Sequence, residues 1–344
     1  MRLSSDLWDD WQGEIYFALG GGMSLKLLSL SEVKQSITML EAIDAMERAF
    51  IQLAQQEAIL PLRTGIPVGE NGLTLTMPAY LSGEKILGLK VVSVFPDNVQ
   101  YHKPSINGII LLVDATSGEP LMLMDAGYLT ALRTGAISGL ATKYFSKDLP
   151  SIVTIVGAGE QAITQLEAVA AVRQIEQVFV WSRQLESAQK FAKKQSAFYN
   201  IQACEALSPA LEKSDIICTA TASNTPLIHL DALQPHVHIN AIGSHHPLMQ
   251  EISGDVLQKA VVIVDNIEAA MKEAGEIIYA VQQQKIHRDS VIELGSWLLE
   301  KAPNIQDQLT VFKSVGLAIQ DLSVAQVVYQ NALKMNLGTT FKLN

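Results

Sequence analysis

The chain has 344 residues, 48% hydrophobic and 17% charged, which predicts a folded protein of two domains and excludes a disordered chain. Its 25 basic and 35 acidic side chains leave a formal net charge of -10, which argues against nucleic acid or an anionic membrane as the main partner. The longest apolar run, from Ile106 to Met124, is broken by Asp114 and Glu119, so we expect no membrane-spanning helix.

The first 22 residues differ in character from the rest of the chain. Trp8 and Trp11 precede three consecutive glycines, and no basic start leads into an apolar core, so a secretory signal is not expected. We predict an N-terminal extension over residues 1–22 and expect the organised chain to begin at Met23.

The first half is predicted to combine a helix with an antiparallel sheet. Apolar residues from Val33 to Leu53 recur at spacings of three and four, which predicts one amphipathic helix with Ser31 as its N-cap. Strand-like runs follow, and Asp114 to Gly118 is predicted to form the hairpin loop between the last two. The predicted strands cover residues 73–77, 86–94, 106–113 and 121–124.

A change of pattern follows a helix predicted from Tyr128 to Phe145. Beyond Pro150, short apolar strands alternate with helices, which predicts right-handed βαβ units and a parallel sheet. The predicted strands are 152–156, 178–181, 201–204, 216–219, 237–242 and 260–264, and the predicted helices are 161–172 and 185–197. The stretch from Val315 onward is predicted to be a helix that packs on the first half.

The two cysteines, Cys204 and Cys218, both fall in apolar strand-like segments. Two free thiols are a simpler interpretation than a disulfide or a metal pair, because the chain has no CxxC or His-rich spacing. We therefore expect a cytoplasmic protein without a metal site.

The most informative segment is a glycine-rich turn between a predicted strand and a predicted helix. Gly157, Ala158, Gly159, Glu160 and Gln161 form, with the alanine that follows, the pattern G-x-G-x-x-A. The first glycine permits a tight turn, and the second lets the backbone approach a pyrophosphate at the helix N-terminus. The pattern predicts a dinucleotide site, and an ordinary glycine turn is the alternative.

The end of the second strand of this unit predicts which dinucleotide is bound. NAD-binding proteins usually have an acidic residue there to bind the ribose 2′-hydroxyl. Here Ser182 and Arg183 stand at that point, and a guanidinium favours a 2′-phosphate. We predict NADPH as the cofactor, with NADH as a possible substitute; the alternative is that Arg183 is a solvated surface residue.

Several short motifs together give the chain a family resemblance from Met23 to its C-terminus. It resembles the ornithine cyclodeaminase/mu-crystallin family, whose members bind NAD(H) or NADP(H) and act on amino, imino or keto acids. The matching stretches are Pro61 to Arg63, Met77 to Pro78, Lys90 to Ser93, Phe95 to Asn98, Asp125 to Ala136, Gly157 to Ala162, Asn240 to Gly243 and Ser314 to Gly316.

The resemblance implies an α/β fold with two parts. A Rossmann-type parallel-sheet domain would cover residues 136–315. An α+β domain for substrate binding and dimerisation would be formed by both chain ends, residues 23–135 and 316–344. The family also suggests a homodimer that uses the antiparallel strands of the first half.

The resemblance further implies a carboxylate-binding set made of Arg63, Lys90 and Arg133. Arginine suits a planar carboxylate, and lysine adds a point charge and a proton donor. Lys90 lies in an otherwise uncharged strand, and because such strands are usually buried, a lysine there requires an explanation. The alternatives are an edge-strand lysine and, for Arg133, a helix-surface cation. The remaining implied cofactor contacts are Thr134, Thr221, Gly243 and Val315.

Two departures from the cyclodeaminase pattern bear on the reaction. His245 stands where cyclodeaminases carry an aspartate, and Leu75 stands where they carry a glutamate. Without these carboxylates a diamino acid would meet a cationic pocket, so cyclodeamination is disfavoured. His245 is a candidate proton donor because histidine titrates near neutral pH, and Lys90 is the rival donor. The alternative for His245 is a place in a polar loop without a catalytic role.

These residues lead to one functional hypothesis and two rivals. We expect NADPH-dependent reduction of Δ1-pyrroline-2-carboxylate to L-proline, with Δ1-piperideine-2-carboxylate, which gives L-pipecolate, as a second substrate. The rivals are an amino-acid dehydrogenase or cyclodeaminase, and a non-catalytic protein that binds NADPH and a ligand.

Overall fold

The computed structural model describes residues 23–61, 63–300 and 304–343, so the predicted extension over 1–22 lies outside the described residues. The strands are β1 (Ser24–Leu28), β2 (Ala58–Ile59), β3 (Thr64–Val68), β4 (Gly72–Leu81), β5 (Ile86–Val94), β6 (Ile106–Asp114), β7 (Pro120–Asp125), β8 (Ser151–Val156), β9 (Ile175–Trp181), β10 (Ile201–Cys204), β11 (Ile216–Thr219), β12 (His238–Ala241), β13 (Val261–Val264), β14 (Ile292–Glu293), β15 (Thr310–Lys313) and β16 (Thr339–Lys342). The α-helices are α1 (Leu30–Gln35), α2 (Met39–Ala54), α3 (Gly127–Phe145), α4 (Glu160–Val172), α5 (Leu185–Gln195), α6 (Ser208–Leu211), α7 (Gly254–Lys259), α8 (Ile267–Glu273), α9 (Gly275–Gln282), α10 (Leu294–Glu300) and α11 (Ala318–Lys334).

Two sheets of eight strands organise these elements. The first has the order β16-β1-β7-β6-β5-β4-β2, with β3 also paired to β4. Its pairs are antiparallel except β1 with β7, and both ends of the described chain meet in this sheet. The second sheet has the order β10-β9-β8-β11-β12-β15-β13-β14, and all its pairs are parallel.

The second sheet is the Rossmann-type sheet that the alternating pattern predicts. The order β10-β9-β8-β11-β12 reverses direction at β8, where a ligand crevice forms in doubly wound sheets. Its central strands β8, β11 and β12 are short and almost fully buried, as expected for strands covered by helices on both faces. The boundary proposed between residues 135 and 136 falls inside the continuous helix α3, and the division into two domains stays a prediction.

The single helix predicted from Val33 to Leu53 is wrong, because the chain forms α1 and α2 with a break between them. Thr38 and Glu41 form a capping box that starts α2, since each side chain bonds the backbone of the other. Ser31 is not an N-cap; it lies inside α1, which is capped by Ser29. Backbone N–H groups at the start of each helix are satisfied by these capping side chains, which favours two separate helices over one.

The C-terminal helix α11 packs on the first half, as predicted. It contacts α2, α3 and the strands β4 to β6, and its residues Ile319 and Leu322 are buried in the same core as Phe50 and Phe145. This packing carries the polar residues of the first turns of α11 to the inner face of the antiparallel sheet. None of the described helices is long and apolar enough to cross a membrane.

Candidate active site

The glycine-rich turn lies between β8 and α4, in the strand-turn-helix context that the sequence predicts. Gly157 has a φ of +117°, and a Cβ at this position would lie 2.5 Å from the carbonyl oxygen of Ala220. Only glycine satisfies both restrictions. Gly159 is the N-cap of α4 and supplies no side chain to cap it, so the first N–H groups of the helix are available to an anion.

A groove runs from this turn along the carboxyl ends of the parallel strands. A cavity of about 560 Å³ is lined by Gly157, Ala158, Ser182, Arg183 and Thr221, among others. A second cavity of about 400 Å³, which we call the inner cavity, shares residues 220–222 with it. The two cavities therefore adjoin at this loop, and their chemistry fits a dinucleotide whose phosphates lie at the turn.

The predicted cofactor residues divide among these cavities. Thr134, Gln161, Gly243 and Val315 line the inner cavity, and Thr221 lines both. Gly159 lines neither cavity, and neither does Glu160. Glu160 lies beside a separate cleft, next to Lys34 and Tyr128, because the first turn of α4 directs its side chain away from the groove.

Lys90 and Arg133 meet at a buried carboxylate beside the inner cavity. Lys90 Nζ donates to Asp321 Oδ2 at 2.6 Å, and Arg133 Nε donates to Asp321 Oδ1 at 3.2 Å. Arg133 Nη1 also donates to Gln320 Oε1 at 2.7 Å. Lys90 is 4% exposed and Arg133 8% exposed, so neither is the edge-strand or helix-surface cation considered from the sequence.

The environment of Lys90 changes its acidity. Burial lowers its pKa from 10.5 to about 8, although the negative charge of Asp321 opposes the change. The nearby positive charges of Arg133 and Arg63 act in the same direction as burial. Lys90 therefore remains an ammonium at neutral pH and is a much stronger acid than an exposed lysine.

Arg63, the third predicted carboxylate ligand, lies between β2 and β3 and lines the inner cavity. Its guanidinium forms an ion pair with Glu273 at the end of α8. This pair connects the segment before β3 with a helix next to the parallel sheet. The positive charge of Arg63 is therefore already balanced, whereas Lys90 and Arg133 share one carboxylate.

His245 and Leu75, the two departures from the cyclodeaminase pattern, both line the inner cavity. His245 Nδ1 lies 2.9 Å from the carbonyl oxygen of Gly243, which favours the tautomer with a proton on Nδ1. Partial desolvation lowers the pKa of His245, and the positive charges of Lys313 and Arg63 act in the same direction. His245 is therefore neutral at neutral pH.

Sequence reasoning missed three polar residues of this site: Asp321, Gln320 and Glu273. Asp321 could have been detected from the sequence, because it is the only charged residue between Lys313 and Lys334. An isolated acid on a buried helix face needs a cationic partner. Within the described part of the chain, no group of three or more His, Cys, Asp or Glu side chains could hold a metal ion.

The sequence and the fold of this chain are similar to those of several known proteins. Delta(1)-pyrroline-2-carboxylate reductase of Bacillus cereus (strain ATCC 14579) is 38% identical over 319 residues, which cover 91% of this chain and 98% of the relative. The structure of Thermococcus litoralis Delta(1)-pyrroline-2-carboxylate reductase in complex with NADH and L-proline has 38% identity and a TM-score of 0.86, and the match covers 92% of this chain and 99% of that one.

An archaeal alanine dehydrogenase dimer with bound NAD is similar at 34% identity and a TM-score of 0.87, with 94% of this chain and 100% of that chain covered. Residues 23–336 match the sequence pattern of one family along almost the whole described chain. The protein belongs to the ornithine cyclodeaminase/mu-crystallin family.

Proposed function

We propose that this protein is an oxidoreductase that reduces Δ1-pyrroline-2-carboxylate to L-proline with a nicotinamide dinucleotide. The observation that carries the proposal is the buried Lys90–Asp321–Arg133 cluster, whose two cations line the inner cavity that adjoins the dinucleotide groove. The relatives from Bacillus cereus and Thermococcus litoralis, which carry this activity in their names, support it.

In this proposal the substrate carboxylate binds to Arg133 and Lys90. Two cations share the single charge of Asp321, so the cluster has a net charge of +1 that matches one carboxylate. Leu75, Met77 and Val92 form an apolar wall on the same side of the cavity, suited to the methylenes of a small ring.

Reduction of the C=N bond requires a hydride at the carbon and a proton at the nitrogen. The dinucleotide supplies the hydride when bound. We assign the proton to Lys90, which is protonated at neutral pH and has a pKa of about 8. His245 is neutral at that pH, which makes it the weaker candidate; in the cavity wall it can orient the substrate through its ring.

Among the described residues that line the inner cavity none is acidic, which disfavours ornithine as a substrate. Leu75 and His245 stand where a cyclodeaminase would carry carboxylates, so a second ammonium group would find no counter-charge there. Δ1-Piperideine-2-carboxylate is one methylene larger, and in an apolar pocket such a change costs about 1–3 kcal/mol. We therefore propose it as a second substrate.

For the cofactor we propose a preference for NADPH over NADH. Ser182 and Arg183 line the groove beyond β9, where an acidic residue would otherwise bind the ribose hydroxyl. Arg183 is exposed and can reach a 2′-phosphate. The relatives of known structure contain NADH or NAD, so the preference must be measured.

We also propose a homodimer formed through the outer face of the antiparallel sheet. Leu89 and Val91 alternate with Lys90 and Val92, so they lie on the face opposite the cavity. Alternate side chains over 87–93 and 107–113 carry no charge, and Leu87 and Ile109 are 40% and 45% exposed. An uncharged and mostly apolar face of this kind fits a second copy of the chain.

The two free thiols support a cytoplasmic location.

A substrate panel tests the proposed function. Purified protein is mixed with NADPH or NADH and with Δ1-pyrroline-2-carboxylate, Δ1-piperideine-2-carboxylate, or pyruvate plus ammonia, while loss of reduced nicotinamide absorbance is followed. Ornithine with oxidised cofactor is assayed for ammonia release. We expect the two cyclic imino acids to give a higher kcat/KM than pyruvate with ammonia or ornithine. Faster turnover of pyruvate with ammonia would identify an amino-acid dehydrogenase, and tight NADPH binding without any turnover would identify a binding protein.

A further inference from the structure

A buried glutamate, Glu251, connects the loop after β11, which lines the dinucleotide groove and the inner cavity, with the loop after β12, which lines the inner cavity. Its Oε1 accepts hydrogen bonds from the backbone N and the Oγ1 of Thr221, both at 2.7 Å. Its Oε2 accepts from the backbone N of Gly243 at 2.8 Å and from Thr219 Oγ1 at 2.7 Å. The backbone N of Ser244 lies 3.3 Å from the same oxygen. One carboxylate therefore holds the chain after β11 and the chain after β12 at a fixed separation.

All the partners of Glu251 are hydrogen-bond donors, so the site requires an acceptor at both oxygens. A carboxyl group meets this need, although burial raises its pKa, whereas a glutamine would present an N–H group to one of the two loops. The side chain is fully buried, so water cannot replace a lost contact. Lys313 is the nearby cation, and it is paired at 3.0 Å with the equally buried Glu276.

The close approach of the two loops depends on a glycine at position 243. A Cβ at Gly243 would lie 2.3 Å from the carbonyl oxygen of Thr221 and 2.4 Å from Glu251 Oε1. The loop at 220–222 lines both the outer groove and the inner cavity, and Gly243 lines the inner cavity. A shift of either loop therefore changes the shape of the boundary between the groove and the inner cavity.

We propose that Glu251 is a positioning residue for the dinucleotide: its carboxylate fixes the loops of Thr221 and Gly243 at the spacing that the cofactor needs. The inference rests on the proposed function only in taking the groove as the dinucleotide site. Glu251 touches no reacting atom and acts through the two loops.

The test is an equilibrium binding titration with NADPH and with NADH, read from nicotinamide or tryptophan fluorescence without substrate. Glu251→Gln is expected to raise the Kd of both dinucleotides by about tenfold or more, equivalent to ~1.4 kcal/mol or more. Glu276→Gln is the matched control. It makes the same change at a buried glutamate beside Lys313, and neither oxygen of Glu276 has a hydrogen-bond partner among the described residues. Its dinucleotide Kd should equal that of the wild type, even if its melting temperature falls.

A wild-type Kd in a folded Glu251→Gln protein would overturn the proposal, as would equal weakening in the Glu276→Gln control. If Glu251→Gln does not fold, Thr219→Val takes its place. This variant removes one donor that holds the carboxylate, and Thr219 lies outside both cavities. It should weaken dinucleotide binding, and an unchanged Kd would then refute the proposal. Because binding is measured without turnover, a protein that binds dinucleotide but reduces no imino acid contradicts the proposed function and leaves this inference intact.

Discussion

Replacing Asp321 with asparagine should shift the pH dependence of catalysis. The substitution keeps the shape of the side chain but removes the charge that stabilises the Lys90 ammonium at 2.6 Å. Breaking one side of a buried ion pair costs about 3 kcal/mol, which corresponds to roughly two pKa units at ~1.4 kcal/mol each. Loss of a negative charge disfavours the protonated lysine, so the pKa of Lys90 should fall from about 8 to roughly 6.

The assay is the pH profile of kcat/KM for Δ1-pyrroline-2-carboxylate at saturating NADPH, measured for the wild type and Asp321→Asn. Activity that depends on a protonated Lys90 declines as pH rises through its pKa. The declining limb should therefore lie near pH 8 in the wild type and about two units lower in the variant. The titration of the substrate imine contributes equally to both profiles, so it cancels in the difference.

Gln320→Met provides the matched control for this experiment. Gln320 contacts Arg133 at 2.7 Å on the same turn of α11, and its replacement leaves the charge beside Lys90 unchanged. It should raise KM without moving the declining limb. A limb that stays in place in Asp321→Asn would refute the assignment of the proton to Lys90. If the limb moved in His245→Gln instead, His245 would be the donor.

Substitutions at three further positions test carboxylate binding, the cofactor preference and the dimer. Arg133→Ala should lower kcat/KM for the imino acid by about a hundredfold, the equivalent of two charge-assisted hydrogen bonds, with an unchanged dinucleotide Kd by fluorescence titration; wild-type kcat/KM would show that the carboxylate binds elsewhere. Arg183→Ala should raise the Kd of NADPH by about tenfold and leave that of NADH unchanged, whereas parallel changes in both would remove Arg183 from 2′-phosphate recognition. Val91→Glu places a charge on the outer face of β5 and should give monomers in light scattering, while Val91→Thr should remain dimeric; a dimeric Val91→Glu would point to another interface.

Local patterns were sufficient to predict most elements around the site. The apolar run that becomes β8, the turn at Gly157 and the start of α4 carry their signals within about a dozen residues, and the structure confirms that strand-turn-helix unit. Lys90 was recognisable as a buried lysine because its strand contains no other charge, and it is 4% exposed.

The contacts between distant segments could not be predicted in the same way. Asp321 lies 231 positions from Lys90, and only the packing of α11 on β5 brings them together. The pairing of β1 with β16 likewise joins the two ends of the described chain. The break before Thr38 was missed because the apolar spacing continues across it, although the capping box that causes it is visible in the sequence.

The central claim is that the protein reduces a cyclic imino acid, and product stoichiometry tests it most directly. Δ1-Pyrroline-2-carboxylate is incubated with NADPH, and the amount of proline formed, measured by chromatography, is compared with the amount of NADPH oxidised. We predict one proline for each NADPH consumed, with L-proline as the product. Oxidation of NADPH without proline, or no oxidation by a protein that binds the dinucleotide, would contradict the proposed function.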